Sequence, residues 1–340
     1  VGLSMGQTAE ILAHRFDISR EMMDSFAMRS HQRLDYGQKN GHLDEIEVMY
    51  DNRGNFYDHD DGVRADSTME KLAKLHPVFD RPVGKVTAGN SAQITDGAAW
   101  VVLASEDMVS RHKLPVMGQL VDSQWAGLDP AQMGLGPCYA MGPVMQRHGL
   151  DTPDIDYFEI NEAFAAQVLA CLAAWKDPDF CRDELGRDTP FTPIDEDRLN
   201  IDGGAIAVGH PVGSSGARIV LHMLKLLERN NARRGMAGIC IGGGQGGADP
   251  HPDRAGGRDE RQPLVRHHCV AGHEGLHRVV TAAGEGAVFS HRLPDETRHL
   301  VHEMRAVIDQ AGLKVGLVLH ATAESGVIDI DHGRHQLARA

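Results

Sequence analysis

The run "NIDGGAIAVGHPVGSSGARIVLHMLKLL", residues 200 to 227, places His210 among small residues directly ahead of an amphipathic segment. Glycines there permit positive φ and close backbone approach, Pro211 fixes the turn after His210, and Ser214 or Ser215 can open the helix. Such a turn can aim an imidazole into a cleft, where it would move protons near neutral pH. Read alone, the same residues also make a tight strand-to-helix connection whose histidine is incidental. In "CIGGGQGG", Cys240 ends a strand-like run and the following glycines expose N–H groups where an oxyanion could sit. The competing reading is a buried structural cysteine before a glycine turn. In "NEAFAAQ", Asn161 and Glu162 stand at a helix start, where an asparagine can cap the helix or hold a water. Gly242, Gly244 and Gly247 formally satisfy GxGxxG, but "ADPHPD" follows where a helix should open, so no dinucleotide site is expected.

The elements that must position these residues follow from periodicity. Residues 5 to 40 read as two helices, the second capped by Ser19 with Met22, Met23, Phe26 and Met28 as a core stripe. Residues 51 to 66 are polar and turn-rich, and "DSTMEKLAKLHP" is a short helix stopped before Pro77. From residue 86 the pattern changes. "GAAWVVLAS" suits a buried strand, "DIDYFEI" a strand feeding the helix "NEAFAAQVLACLAAW", and "KDPDFCRDELGRDTPFTPIDEDRL" a charged insertion. The helix after His210 carries Ile219, Val220, Met223, Leu224 and Leu227 on one face. Alternating helices and strands imply a layered α/β architecture. Composition breaks near residue 249, where a Pro/Gly/Arg/His-rich stretch, read as a linker or as disorder, runs to about 278, and a small α/β segment covers 279 to 340.

A chain of 340 residues is long enough for two domains, and 41% hydrophobic with 24% charged residues fits a globular protein. No apolar run approaches the roughly 20 residues needed to cross a bilayer. A net charge of −14 argues against nucleic acid and anionic membranes as partners. Five cysteines without a CxxC pair point to free thiols in a reducing compartment, and the cytoplasm is the expected location. The chain opens at Val1 within mid-domain sequence, so further sequence upstream is expected.

Taken in order, "MGLGP" at 133 to 137, "NEAFAAQ", "GGAIAVGHPVGSSGAR" and "CIGGGQGGA" resemble the thiolase family, acyltransferases that cleave or form 3-ketoacyl-CoA. "MGQTAE" at 5 to 10, the second helix and "TAGNSAQITDGAA" at 87 to 99 extend the resemblance over residues 1 to about 248. It is strongest to bacterial 3-ketoacyl-CoA thiolases of fatty-acid β-oxidation. The resemblance implies a thiolase-like α/β/α fold with a mixed five-stranded sheet, partial because the amino-terminal half is absent. A loop domain over the CoA site would span 1–85 and the carboxy-terminal domain 86–248. It further implies that His210 activates a nucleophilic cysteine and, with a water held by Asn161, stabilises the thioester oxyanion. Cys240 would exchange the proton at the acetyl α-carbon, with the Gly242 amide at a second oxyanion site. Arg64, Ser91, Met133 and Phe164 match positions lining the CoA channel. Coenzyme A enters as substrate, and no cofactor or metal is implied. The partners implied are acyl-CoA and CoA, a homodimer or homotetramer in the full-length form, and a hydratase/dehydrogenase subunit of β-oxidation.

Three departures stand beside the resemblance. Thiolases carry the nucleophile in a Cys-x-Ser context of the amino-terminal half, and none of Cys138, Cys171, Cys181 and Cys269 has that context. Pro250 and Pro252 oppose the apolar closing strand the family has there, so that strand is expected to be lost. Ala92 replaces a second hydroxyl common in relatives. "HEGLH" at 273 to 277 fits HExxH, but Gly275 inside it and the missing amphipathic helix argue against a zinc site. Over about 60 residues, the segment from 284 resembles the opening of the enoyl-CoA hydratase (crotonase-like) part of β-oxidation proteins, without that family's "GAD" oxyanion loop. Two functions follow as expectations: a thiolase acyltransferase, or a non-catalytic remnant that binds CoA or a thiolase partner.

Overall fold

The computed structural model describes residues 2–251 and 267–270. The HExxH match, the crotonase-like segment and most of the linker lie outside them. The chain begins with α1 (Met5–Arg15), opened by a reciprocal capping box between Ser4 and Gln7, and α2 (Arg20–Lys39), capped by Ser19. The buried stripe of α2 is Met23, Phe26, Ala27, Ser30 and Leu34, whereas Met22 is exposed and Met28 half-buried. The methionine cluster expected from sequence is therefore split by the 3.6-residue period, which carries Met22 to the solvent side. A small hairpin follows, β1 (Met49–Tyr50) with β2 (Phe56–Tyr57), then the short helix α3 (Met69–Leu72) capped by Thr68.

The strand expected over 97 to 105 is only β3 (Leu103–Ser105), followed by α4 (Glu106–His112), β4 (Val116–Leu120) and β5 (Gln124–Gly127). Helix α5 (Gly136–Arg147), β6 (Tyr157–Ile160), α6 (Ala165–Lys176) and α7 (Pro178–Leu185) come next. The charged insertion is not all surface, because Phe180, Cys181 and Phe191 plug into the main core. One turn of helix, α8 (Ala205–Val208), leads through His210 into α9 (Ser215–Arg229), β7 (Gly235–Ile241), β8 (Gln245–His251) and β9 (His267–Val270).

The central sheet has the order β5-β8-β7-β6, parallel between β6 and β7 and antiparallel elsewhere, and β9 lies between β3 and β4 in a second, three-stranded sheet. Apart from the β1–β2 hairpin, the strands of the described residues thus divide four and three, where a single five-stranded sheet was expected. The closing strand is not lost. β8 pairs with β7 along its whole length, and Pro250 falls beyond the last β5 pair, Gln124↔Ala248. A missing N–H is tolerated at that place because only one neighbour forms a ladder there.

Strand alternation sorts the layers. On β7, Met236 joins the core cluster containing α5 and α6, and a Cβ on Gly238 would meet Met141 and Pro137 of α5. Ala237 and Ile239 instead pack with Ile219, Val220 and Leu224 of α9, and a Cβ on Gly235 would meet Met223. The sheet is therefore sandwiched between α5 and α6 on one face and α9 on the other. Close approach decides one glycine: a Cβ on Gly246 would lie 2.1 Å from the Gly136 carbonyl oxygen, so α5 could not sit this low on β8 with any other residue.

Candidate active site

Parallel β6 and β7 end at the same edge, and the chemistry-bearing residues collect beyond their carboxyl ends, as in open α/β sheets generally. The backbone N–H of Asn161, immediately after β6, donates to the Gly238 carbonyl at 3.0 Å, which registers it against β7. Cys240 lies two residues further along β7 and is buried with Met133, Ala163 and Phe164. Burial pushes its thiol up to about 12, so it stays protonated at neutral pH. Gly242 is exposed in the turn between β7 and β8, where Gly243 and Gly244 take positive φ of 85° and 86°.

His210 is half-buried and fixed at both ring nitrogens. Nδ1 lies 2.7 Å from Ser215 Oγ, and Ser215 Oγ itself donates to the Pro211 carbonyl at 3.1 Å. A hydroxyl has one proton to give, so with that proton on the Pro211 carbonyl the ring donates from Nδ1. That leaves the Nε2 lone pair facing Asn161 Nδ2 at 3.4 Å. Asn161 is 2% exposed, and its Oδ1 is buried with no protein partner among the described residues. Desolvation, reinforced by the positive charge of Arg218, holds the imidazole down to about 4, neutral across the physiological range.

A single extended segment strings the remaining candidates together. Ser91 forms a β-bridge with Phe164, the Ala92 N–H donates to the Ala163 carbonyl, and the His210 N–H donates to the Gln93 carbonyl at 2.9 Å. Ser91 Oγ itself donates to the Thr87 carbonyl. Gln93 Nε2 donates to the Gly62 carbonyl, which brings the 60 to 64 segment beside α8. Arg64 on that segment is exposed and its N–H donates to His31 Nδ1. The structure thus brings Cys240, Met133 and Phe164 into one cluster, joins Ser91 to it by backbone, and ties His210 to Asn161. Arg64 and Gly242 stand at the periphery.

Sequence reasoning assigned Ser215 only to helix opening and passed over Arg218, Gln93 and the role of Glu162. Glu162, 1% exposed, is a strut: its carboxylate accepts from Ser30 Oγ, Asn200 Nδ2 and the Ile206 N–H. A detectable signal existed for Arg218, a charged residue inside the otherwise apolar first turns of α9.

Beneath the site, Glu159 of β6 faces α9. It is 4% exposed, its Oε1 has no partner among the described residues, and burial pushes its carboxyl up to about 8 despite nearby His222 and Arg218. A folded-state value above the unfolded one near 4.5 gives a contribution fully present below about pH 4.5 and lost as pH rises to about 8. Glu159→Gln does not titrate. Its stability should therefore gain on the wild type by on the order of 2 kcal/mol between pH 5 and pH 8, after discounting for coupling to His222. Urea unfolding of both proteins at the two pH values measures this, and a gap that does not widen would refute it.

Comparison with known proteins now identifies the frame. The family model described as "Thiolase, N-terminal domain" matches residues 1–107 and "Thiolase, C-terminal domain" matches residues 114–249. The 3-ketoacyl-CoA thiolase of Aliivibrio fischeri is 39% identical over 247 residues, covering 71% of this chain and 60% of that protein. That of Cronobacter sakazakii is 42% identical, with the same coverage. The crystal structure of human mitochondrial 3-ketoacyl-CoA thiolase in complex with CoA superimposes with a TM-score of 0.63 at 34% identity, covering 74% of this chain and 59% of that one. The chain spans about 60% of the length of the curated relatives it matches. Among the described residues no helix is long and apolar enough to cross a membrane. With both family models matched in order along one layered α/β chain, the protein belongs to the thiolase family.

Proposed function

We propose that this chain supplies the proton-handling half of a thiolase acyltransferase, which cleaves 3-ketoacyl-CoA with CoA or runs the reverse Claisen condensation in fatty-acid β-oxidation. The observation that carries the reading is the hold on His210: Ser215 Oγ at Nδ1 and Asn161 Nδ2 at Nε2 fix a neutral imidazole whose Nε2 can accept a thiol proton at pH 7. The nucleophilic thiolate so formed attacks the 3-keto carbon. The protonated imidazole and a water on the unpartnered Asn161 Oδ1 then hold the oxyanion. As the C2–C3 bond breaks, its electron pair goes to C2, and the Cys240 thiol, kept protonated by burial, gives that carbon its proton. The Gly242 amide would meet the second oxyanion. The CoA thiol then returns a proton to the Cys240 thiolate and takes the acyl group from the enzyme sulfur, which leaves as a thiolate and recovers its proton from the His210 imidazolium, so CoA is a substrate and no separate cofactor is needed. Arg64, Ser91, Met133 and Phe164 would line the CoA channel, a placement supported by the contact of Met133 and Phe164 with Cys240. A cytoplasmic location, assembly as a homodimer or homotetramer, and association with a hydratase/dehydrogenase subunit belong to the same proposal.

A second reading has its own observation. Cys138, Cys171 and Cys181 are each 0% exposed, sealed in the helical layer, and none of them can serve as the nucleophile. The chain by itself would then be a non-catalytic remnant that binds CoA or a thiolase partner. The test is a 3-ketoacyl-CoA thiolysis assay on the 340-residue chain beside the same chain extended by the amino-terminal half of a bacterial relative. Turnover only in the extended form is expected. Turnover in neither, with CoA binding retained in calorimetry, would favour the remnant.

A further inference from the structure

Between His210 and the amino-terminal segment lies a charge that neither the motifs nor the mechanism above uses. Arg218, in the first turns of α9, is half-buried, and its Nη1 donates to the Gly209 carbonyl at 2.9 Å. Gly209 is the residue before His210. It holds a positive φ of 91° against Thr95, whose Oγ1 a Cβ at Gly209 would approach to 2.3 Å, so this carbonyl belongs to a backbone conformation with little freedom. The carboxylates facing the guanidinium are Asp60, from the segment beside α8, and Glu159 and Glu162, in and just after β6. The groups bonded to His210 itself, Asn161 and Ser215, are uncharged.

From this geometry we infer that Arg218 is the positioning residue of His210: it ties down the carbonyl in front of the imidazole and sets a fixed positive charge beside the ring, balanced by Asp60. The inference rests on the reading of His210 as the activating base and adds what keeps that base in working order. Proton affinity follows by sign. A guanidinium beside an imidazole opposes the imidazolium, so removing it lets His210 take up a proton at higher pH, where the base is needed neutral. Asp60 cuts the cost of the buried guanidinium, and its own carboxyl is raised by burial while Arg218 opposes the rise. Lysine at 218 would keep the charge but present no planar fork, so the two contributions separate.

The experiment is a proton NMR titration of the His210 ring in the full chain, its resonance assigned as the one missing from His210→Gln. In the wild type the signal should be flat from pH 8 to pH 5.5. Arg218→Met should move the midpoint up by at least about one unit, a tenfold gain in proton affinity. Arg218→Lys should stay within about half a unit of the wild type. If Arg218→Met does not fold, Arg218→Met combined with Asp60→Asn removes both charges together and should show the same rise. An unmoved midpoint in a natively folded Arg218→Met protein overturns the inference, as does an Arg218→Lys shift as large as that of methionine. No substrate enters the titration, so absence of thiolysis would sink the acyltransferase reading alone, and an unmoved midpoint would sink the Arg218 inference alone.

Discussion

His210→Ala in the extended, thiolysis-competent chain is expected to lower kcat by about 1,000-fold or more while leaving the unfolding transition almost unchanged. The magnitude follows from the two duties placed on one ring. A positioned base contributes on the order of 100- to 10,000-fold, and one oxyanion donor contributes about 100- to 1,000-fold. The stability side follows because, among the described residues, the half-buried ring makes hydrogen bonds to Ser215 and Asn161, both of which keep other backbone contacts. His210→Asn, which returns a donor but no base of suitable strength, should recover little. The pH profile is an independent check: with the ring held down to about 4, activity should persist far below pH 6.5 on the acid side, where an ordinary histidine would be protonated. An acid limb centred near 6.5, or a His210→Ala protein that retains a tenth of the activity, would remove His210 from the chemistry.

How much of this could be read from the chain depends on how local the cause is. The α9 stripe was legible because Ile219, Val220, Met223, Leu224 and Leu227 recur at helical spacing, and all five are buried. The turn holding His210 was legible because glycine, proline and serine each constrain the backbone in a known way. The opposite side of α9 was not. His222 and Lys225 look like the solvent side of an amphipathic helix, yet both are buried, His222 against Glu45 and Asp202, and Lys225 against Asp44. Their partners lie far away in the chain, so no window of sequence reveals that the helix is covered on both sides. The opposing carboxylates keep His222 charged against the desolvation that would strip its proton. Strand lengths failed for a related reason. Val101 is fully buried, as the apolar run promised, but a strand needs a ladder partner, and among the described residues the ladder of β3 with β9 runs over Leu103–Ser105. Pro250 misled in the other direction, since a proline rule written for central strands does not apply where the neighbouring strand has already ended.

Glu162→Ala should be the most damaging single change to the frame, costing about 4 kcal/mol and visible as a large fall in the urea midpoint at constant slope. The carboxylate is buried and accepts three hydrogen bonds, from Ser30 at 2.6 Å, Asn200 at 2.8 Å and the Ile206 N–H at 3.3 Å. Truncation strands all three donors away from water, and each stranded donor costs roughly 1 to 3 kcal/mol less what neighbouring groups can recover. Ser30 stands on α2, Asn200 just ahead of the glycine-rich turn and Ile206 on α8, so one side chain ties the amino-terminal helices to the turn that ends in His210. Gly204 lies so close that a Cβ there would sit 2.4 Å from the Glu162 carboxyl carbon, a fit shaped around this side chain. Glu162→Gln keeps the volume and one accepting oxygen but turns an amide N–H₂ toward a donor, so it should lose less than alanine and still be measurable. Desolvation raises the carboxyl above its ordinary value, so burying the ionised form carries a cost of its own. Removal of that cost works against the lost bonds, and if it dominated, Glu162→Ala would fall by less than about 1 kcal/mol. Such a result would mean that packing around Phe158, Ile160 and Ile206, not the carboxylate, holds the turn in place.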